Sequence, residues 1–167
     1  PAMGNVDLDI EEVWPFNYPM TEVQAALGSK LLERLDDLNN QKRITGMRFI
    51  KAMNDYPELT FQKTDDELQN SFHLLPARYD GSEFGKSNDD VIELLSSKYK
   101  IKAIVQYYPL NRYPLFEKMG FGSADCPNTD SFFDNMVSFP FHHWLSSTDF
   151  DYMIESTKLV LNELRSK

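Results

Sequence analysis

The side chains best suited to bind a polar ligand gather in one aromatic stretch, VQYYPLNRYPLF, which runs from Val105 to Phe116. The stretch follows a predicted strand, and connections at strand ends carry many of the binding residues of proteins. Its phenols, carboxamides and guanidinium group could together form a polar site. These groups belong to Gln106, Tyr107, Tyr108, Asn111, Arg112 and Tyr113. The alternative, which composition alone favours, is a turn shaped by Pro109 and Pro114 whose tyrosines wedge against a sheet.

A second group of candidate residues is the pair His142 and His143, which lies between a predicted strand and a predicted helix. Connections of this kind also concentrate binding residues, although a bare pair of histidines is a weak indication of function. The remaining histidine, His73, lies in an apolar stretch. A packed, hydrogen-bonded histidine is the more common arrangement there, so His73 is not a candidate.

Several classes of function are disfavoured by what the sequence lacks. It has no glycine spacing of a phosphate-binding loop or a dinucleotide fingerprint, and no histidine pair with the spacing of a zinc protease. The 17 Lys and Arg against 26 Asp and Glu leave a net charge of -9, which argues against binding nucleic acid. A lone cysteine, Cys126, excludes an internal disulfide and a multi-thiolate metal site. Without a membrane-spanning apolar run or a secretion signal, a cytoplasmic location is expected and no membrane contact.

The spacing of apolar residues predicts the elements that position these side chains. A capping box of Thr21 and Gln24 begins a helix to about Leu38, which runs on or restarts after Asn39-Asn40. Strands are predicted over residues 59–63, 71–79, 100–108 and 135–141, and further helices over residues 87–99, 115–119 and 146 onward, with Ser87 and Ser146 as caps of the first and last of these. The last helix is predicted to share one apolar face among Phe150, Met153, Ile154, Thr157, Leu161 and Leu164. This order predicts an α+β fold or a split α/β layer structure, in which a long N-terminal helix precedes a small, mostly antiparallel sheet covered by helices.

Three motifs carry a resemblance to a known family: NYPMTEVQAALGSKLLERLDDL, VQYYPLNRYPLF and SFPFHHWLSSTDFDYMIE. In this order they resemble the C-terminal part of the DegT/DnrJ/StrS family of nucleotide-sugar aminotransferases, pyridoxal-phosphate enzymes of the aspartate aminotransferase fold. The resemblance runs from about Trp14 to the last helix. It implies that residues 5–20 are a loop from a missing large domain and that residues 21–167 are the C-terminal small domain with its connecting helix. Residues 1–4, which do not begin with Met, are expected to be a cleavage or cloning remnant.

The resemblance also implies roles for particular residues. Asn17 corresponds to the asparagine that reaches the cofactor phosphate of the neighbouring subunit, although Pro19 stands where the family usually has a basic residue. Tyr108 and Asn111 lie in a loop that resembles the part facing the sugar nucleotide. His142 aligns with a family histidine ahead of the last helix and is a further substrate-binding candidate.

The resemblance implies an enzyme that transfers an amino group from an amino acid to a keto-sugar nucleotide, and a homodimer for the parent protein. The family's cofactor lysine and the acid beside the cofactor ring lie upstream of the asparagine motif. No residue of this chain is therefore assigned as catalytic, and no pyridoxal phosphate is expected on this piece alone. Two alternatives are a pyridoxal-phosphate sugar dehydratase of the same family and a non-catalytic interaction module that pairs through its long amphipathic helix.

Overall fold

The computed structural model of this protein describes residues 19–65, 67–121 and 124–166, and the prediction for Asn17 therefore lies outside the described residues. The helices are α1 (Glu22–Leu32), α2 (Leu35–Ala52), α3 (Asn88–Tyr99), α4 (Pro114–Lys118), α5 (Pro127–Asp134) and α6 (Ser147–Arg165), and the strands are β1 (Leu59–Phe61), β2 (Leu75–Tyr79) and β3 (Met136–Phe139). The chain divides into two units with the boundary between Asp36 and Asp37.

The first unit contains α1, whose start is the predicted capping box. The Gln24 backbone N–H donates to Thr21 Oγ1 at 3.3 Å, and the Thr21 backbone N–H donates to Gln24 Oε1 at 2.9 Å. The break between the two helices falls at Glu33 and Arg34 instead of near Leu38, and α2 runs on through Asn39-Asn40, which is one of the two predicted alternatives. Asn40 remains helical and its side chain accepts a hydrogen bond from Arg43 at 2.8 Å, which gives that amide a partner within α2.

The second unit is built on an antiparallel sheet of order β1-β2-β3, which confirms the predicted α+β class among the described residues. The central strand β2 pairs Leu75 with Phe139 of β3 and Tyr79 with Leu59 of β1. Its burial alternates, with Leu75, Ala77 and Tyr79 buried, because successive side chains of a strand point to opposite faces. The buried face packs on α2, α3 and α6 in one hydrophobic core.

The terminal helix α6 matches its prediction closely. Ser146 caps it by accepting from the Asp149 backbone N–H at 3.1 Å. The residues predicted to share its buried face recur every three or four positions, as a helix with one apolar face requires. All six are buried: Phe150, Met153, Ile154, Thr157, Leu161 and Leu164.

The predicted strand over residues 100–108 is wrong. Only Ile104 bridges β3, through reciprocal backbone bonds with Ser138 of 3.1 and 2.8 Å. On one side the Ala103 N–H turns back to the Ile101 carbonyl, and on the other the Gln106 N–H donates to Met136 Sδ. The backbone donors next to the bridge are thus directed away from a ladder, which limits pairing to one residue.

Tyr79 carries an unusual buried group, because its hydroxyl has no hydrogen-bond partner among the described residues although the side chain is 1% exposed. Burial, with the nearby charge of Glu58, raises its pKa to about 12. Tyr79→Phe removes a desolvated hydroxyl without breaking a hydrogen bond, so we expect the free energy of unfolding at pH 7 to stay within about 0.5 kcal/mol or to rise.

A pH series makes the same prediction testable in a second way. The tyrosine of the unfolded chain loses its proton near about pH 10, below the folded value of about 12. The unfolded state therefore binds fewer protons in this window, and stability falls as the pH rises through it. Urea unfolding at several pH values should show a smaller alkaline loss in Tyr79→Phe than in the parent chain. A loss above about 1 kcal/mol at pH 7 would show that the hydroxyl has a partner.

Candidate functional site

The aromatic stretch that follows Ile104 forms a loop whose rings pack on one another. The Tyr108 ring meets Tyr113 at 5.1 Å and Phe133 of α5 at 5.5 Å, both edge to face. Tyr108 nevertheless keeps 46% of its surface exposed. All three tyrosines of the loop are exposed, and the rings of Tyr108 and Tyr113 pack on each other and on α4 and α5 instead of against the sheet that the turn interpretation expects.

Arg112 holds this loop to α5. Its Nε donates to Asp130 at 2.7 Å, and its two terminal nitrogens donate to Asp134 at 2.6 and 3.0 Å. The guanidinium also lies 5.6 Å from the Phe133 ring centroid. The hydrogen bonds that Arg112 donates to Asp134 lower the pKa of the Asp134 carboxyl and raise the pKa of the Arg112 guanidinium. Arg112 is therefore a positioning residue for the loop, because its donors are engaged within the protein.

Asn111 occupies the same loop and is half-buried. Its side-chain nitrogen lies 3.5 Å from the Ala124 carbonyl, at the outer limit of a hydrogen bond. Gln106, at the start of the loop, donates to Ser138 Oγ at 3.3 Å. Of these two carboxamides, the weakly held Asn111 is the better placed to exchange its contact for one with a ligand.

His142 lies in a different place, in a cavity of about 320 Å³ between α2 and the start of α6. The cavity wall contains polar side chains from α2, from the turn after β3 and from the first residues of α6. They are Gln41, Lys42, Thr45, Arg48, His142, His143, Ser146 and Ser147, with Ile44, Phe141, Leu145 and Phe150 as the apolar part. The His143 ring lies 4.2 Å from that of Trp144, which is 77% exposed.

The candidate residues thus fall into two groups. Tyr108 and Asn111 share one loop, whereas His142 lines the cavity, to which neither of the other two contributes among the described residues. His73 lies in an exposed bend before β2, so its interpretation as a packed strand residue is wrong. No local motif of the sequence marks Lys42 and Arg48 of this cavity, because the residues that complete it come from the distant turn after β3 and the start of α6.

Neither a metal site nor a membrane span is found in the described part of the chain. No three side chains of His, Cys, Asp or Glu meet there in a group able to hold a metal ion. None of the described helices combines the length and apolar character needed to cross a bilayer.

Pyridoxal phosphate, the cofactor that the resemblance implies, needs a lysine amine, an acid beside its ring nitrogen and donors around its phosphate. No carboxylate is among the described residues that line the cavity containing Lys42, and the loop of residues 105–113 has no lysine. The described residues at these two places do not fit the complete cofactor, so no chemical step through it is assigned to them.

Solved structures with this arrangement define the class of protein. The apo form of the putative sugar aminotransferase Spr1654 from Streptococcus pneumoniae is similar with a TM-score of 0.72 and 26% identity, over 88% of this chain and 36% of that protein. Helicobacter pylori PseC, an aminotransferase of pseudoaminic acid biosynthesis, has the same fold with a TM-score of 0.73, 23% identity and coverage of 95% and 43%. The described α+β unit is thus a part of the sugar aminotransferase fold.

The family follows from the sequence itself. The model of the DegT/DnrJ/EryC1/StrS aminotransferase family matches residues 5–158, and the chain belongs to this family. The Bacillus subtilis spore coat polysaccharide biosynthesis protein SpsC is 29% identical over 140 residues, which are 83% of this chain and 36% of SpsC. The chain therefore spans about a third of the length of this relative.

Proposed function

We propose that this chain is the C-terminal small domain, with its connecting helix, of a pyridoxal-phosphate enzyme that transfers an amino group from an amino acid to a keto-sugar nucleotide. The observation that carries this proposal is the match to 36% of a solved sugar aminotransferase at 26% identity. Further support comes from Spr1654, which has been solved in forms with pyridoxal phosphate and with pyridoxamine phosphate. A Campylobacter jejuni relative, 25% identical, is named as a transaminase of a UDP-amino-sugar.

In this proposal the domain supplies substrate contacts while the upstream domain supplies the chemistry. Residues 5–20 lead in from that domain, and Asn17 donates its amide to the cofactor phosphate of the neighbouring subunit in a homodimer. Tyr108 offers an exposed phenol and Asn111 a weakly held carboxamide on one loop, which suits hydrogen bonding to a sugar nucleotide. His142 offers an imidazole on a separate surface. The enzyme works in the cytoplasm.

The experiment compares the 167-residue chain with the protein encoded by the complete reading frame. The chain alone, mixed with equimolar pyridoxal phosphate and borohydride, should give no stoichiometric lysine adduct in mass spectrometry. The full protein should retain the cofactor and convert a keto-sugar nucleotide and an amino acid to an amino sugar. Both results are expected because the proposal places the cofactor lysine upstream of Asn17, outside the 167-residue chain.

Three results would contradict the proposal in different ways. A stoichiometric adduct on one lysine of the short chain would place the cofactor site within it. A full protein that dehydrates the sugar without adding an amino group would support the alternative, a sugar dehydratase of the same family. A reading frame with no lysine-bearing upstream domain would leave a non-catalytic module.

A further inference from the structure

The cavity between α2 and the start of α6 is basic, which the composition of the chain does not lead one to expect. Lys42, Arg48, His142 and His143 line it, and no carboxylate is among its described lining residues. Two carboxylates contact lining side chains from outside, since Asp151 pairs with Arg48 and Asp149 accepts from Ser146 Oγ at 2.6 Å. The whole chain has a net charge of -9. A concave site on an acidic protein favours an anionic ligand where its lining carries a cation that no carboxylate compensates.

Lys42 is the basic group whose charge is least compensated. It is half-buried, and its ammonium makes no hydrogen bond or ion pair with any residue in the described ranges. Arg48, in contrast, is paired with Asp151 of α6, and its guanidinium lies 5.7 Å from the Phe150 ring centroid. A cation that no carboxylate compensates attracts an anion, and an anion bound in the cavity would pair with the Lys42 ammonium.

The remaining polar groups of the wall match the oxygens of a phosphate. Thr45 and Ser147 contribute hydroxyl donors, and the imidazoles of His142 and His143 contribute ring N–H donors. Hydrogen bonds from such donors to an ionised oxygen are shorter and stronger than those between neutral groups. Several donors around one cation suit a phosphate with three free oxygens better than a carboxylate with two.

An exposed aromatic ring lies next to the lining residue His143 and suits an organic group attached to the phosphate. Trp144 is 77% exposed and its ring lies 4.2 Å from that of His143, which lines the cavity. An exposed aromatic ring beside a polar pocket offers a face for a planar group. The cavity volume of about 320 Å³ matches a small ligand rather than a polymer.

We propose that this cavity binds the phosphate of a small phosphorylated molecule, with Lys42 as the main cation and Trp144 beside the organic group. The site requires neither the amino transfer proposed above nor a bound cofactor. It shares only His142 with that proposal, so either one can fail while the other holds.

The test uses the 167-residue chain with Trp14→Phe, which leaves Trp144 as the single tryptophan of the two in the sequence. Phenyl phosphate should change Trp144 fluorescence in a saturable way, with a Kd of about 1 mM or tighter. Lys42→Met should weaken binding by about tenfold or more. Thr45→Val, which keeps the side-chain shape and removes a donor, should weaken it by about threefold.

Lys51→Met is the matched control, because it removes the same charge from the same helix at a residue outside the cavity lining. Its Kd should stay within about twofold of the parent value. If Lys42→Met and Lys51→Met weakened binding equally, the effect would come from the overall electrostatic field of the protein, and the proposed site would be contradicted. The absence of saturation up to about 20 mM, or equally tight binding of phenol, would overturn it as well.

Discussion

Replacing Phe49 with alanine is expected to lower the free energy of unfolding by about 3–5 kcal/mol, the range measured when a buried aromatic side chain is truncated. Phe49 is 0% exposed, and its ring meets Phe139 at 4.7 Å and both Phe61 and Phe150 at 6.0 Å. Its partners belong to β3, β1 and α6. Truncation therefore leaves a cavity where α2, the sheet and the terminal helix meet, and urea unfolding followed by circular dichroism would measure the loss.

The control for this prediction lies two residues away on the same helix. Met47 is 54% exposed, so Met47→Ala should change the free energy of unfolding by less than about 0.5 kcal/mol. Phe49→Leu, which retains part of the buried volume, should fall between the two. If Phe49→Ala cost no more than Met47→Ala, the aromatic cluster would not be the centre of the core.

The sequence predicted those elements whose signals are local. The caps at Thr21, Ser87 and Ser146 were visible because a capping box needs only side chains three residues apart. The buried face of α6 was visible because its apolar period is continuous over many turns. These signals do not depend on what the element packs against.

The errors have non-local causes. Residues 100–108 have the composition of a strand. Two of their backbone N–H groups nevertheless donate away from a neighbouring strand's backbone, that of Ala103 to the Ile101 carbonyl and that of Gln106 to Met136 Sδ. Helix α5 was missed although Pro127 at its first turn is a start signal, because its eight residues give too short an apolar period. The break at Glu33 and Arg34 has no glycine or proline to mark it.

The same distinction applies to the candidate sites. Tyr108 and Asn111 were identified together because they lie in one short motif. The basic cavity joins Lys42 to His142, which are a hundred positions apart in the sequence, and only the packing of α6 beside α2 brings them together. The sequence offers Arg112 as a ligand-binding group, but its ion pairs with Asp130 and Asp134 show that it holds the loop to α5.

Replacing Arg165 with methionine is expected to cost about 3 kcal/mol of stability, because it leaves the charge of Glu58 buried without a partner. Glu58 is only 6% exposed, and both of its oxygens accept from Arg165, at 2.8 and 2.7 Å. Arg165 also donates to the Asp55 carbonyl at 3.0 Å and lies 4.6 Å from the Tyr56 ring centroid. These contacts hold the last turn of α6 against the chain between α2 and β1.

Two further variants separate the charge effect from the loss of packing. Glu58→Gln in the Arg165→Met background removes the stranded charge and should recover part of the lost stability, since a neutral amide costs less to bury. Lys158→Met breaks the more exposed ion pair with Glu155 on the same helix and should cost less than about 0.5 kcal/mol. Urea unfolding at pH 7 would measure the free energy of unfolding of these three variants. If Arg165→Met proved as mild as Lys158→Met, solvent would be screening Glu58, and the last turn of α6 would be held by its apolar face alone.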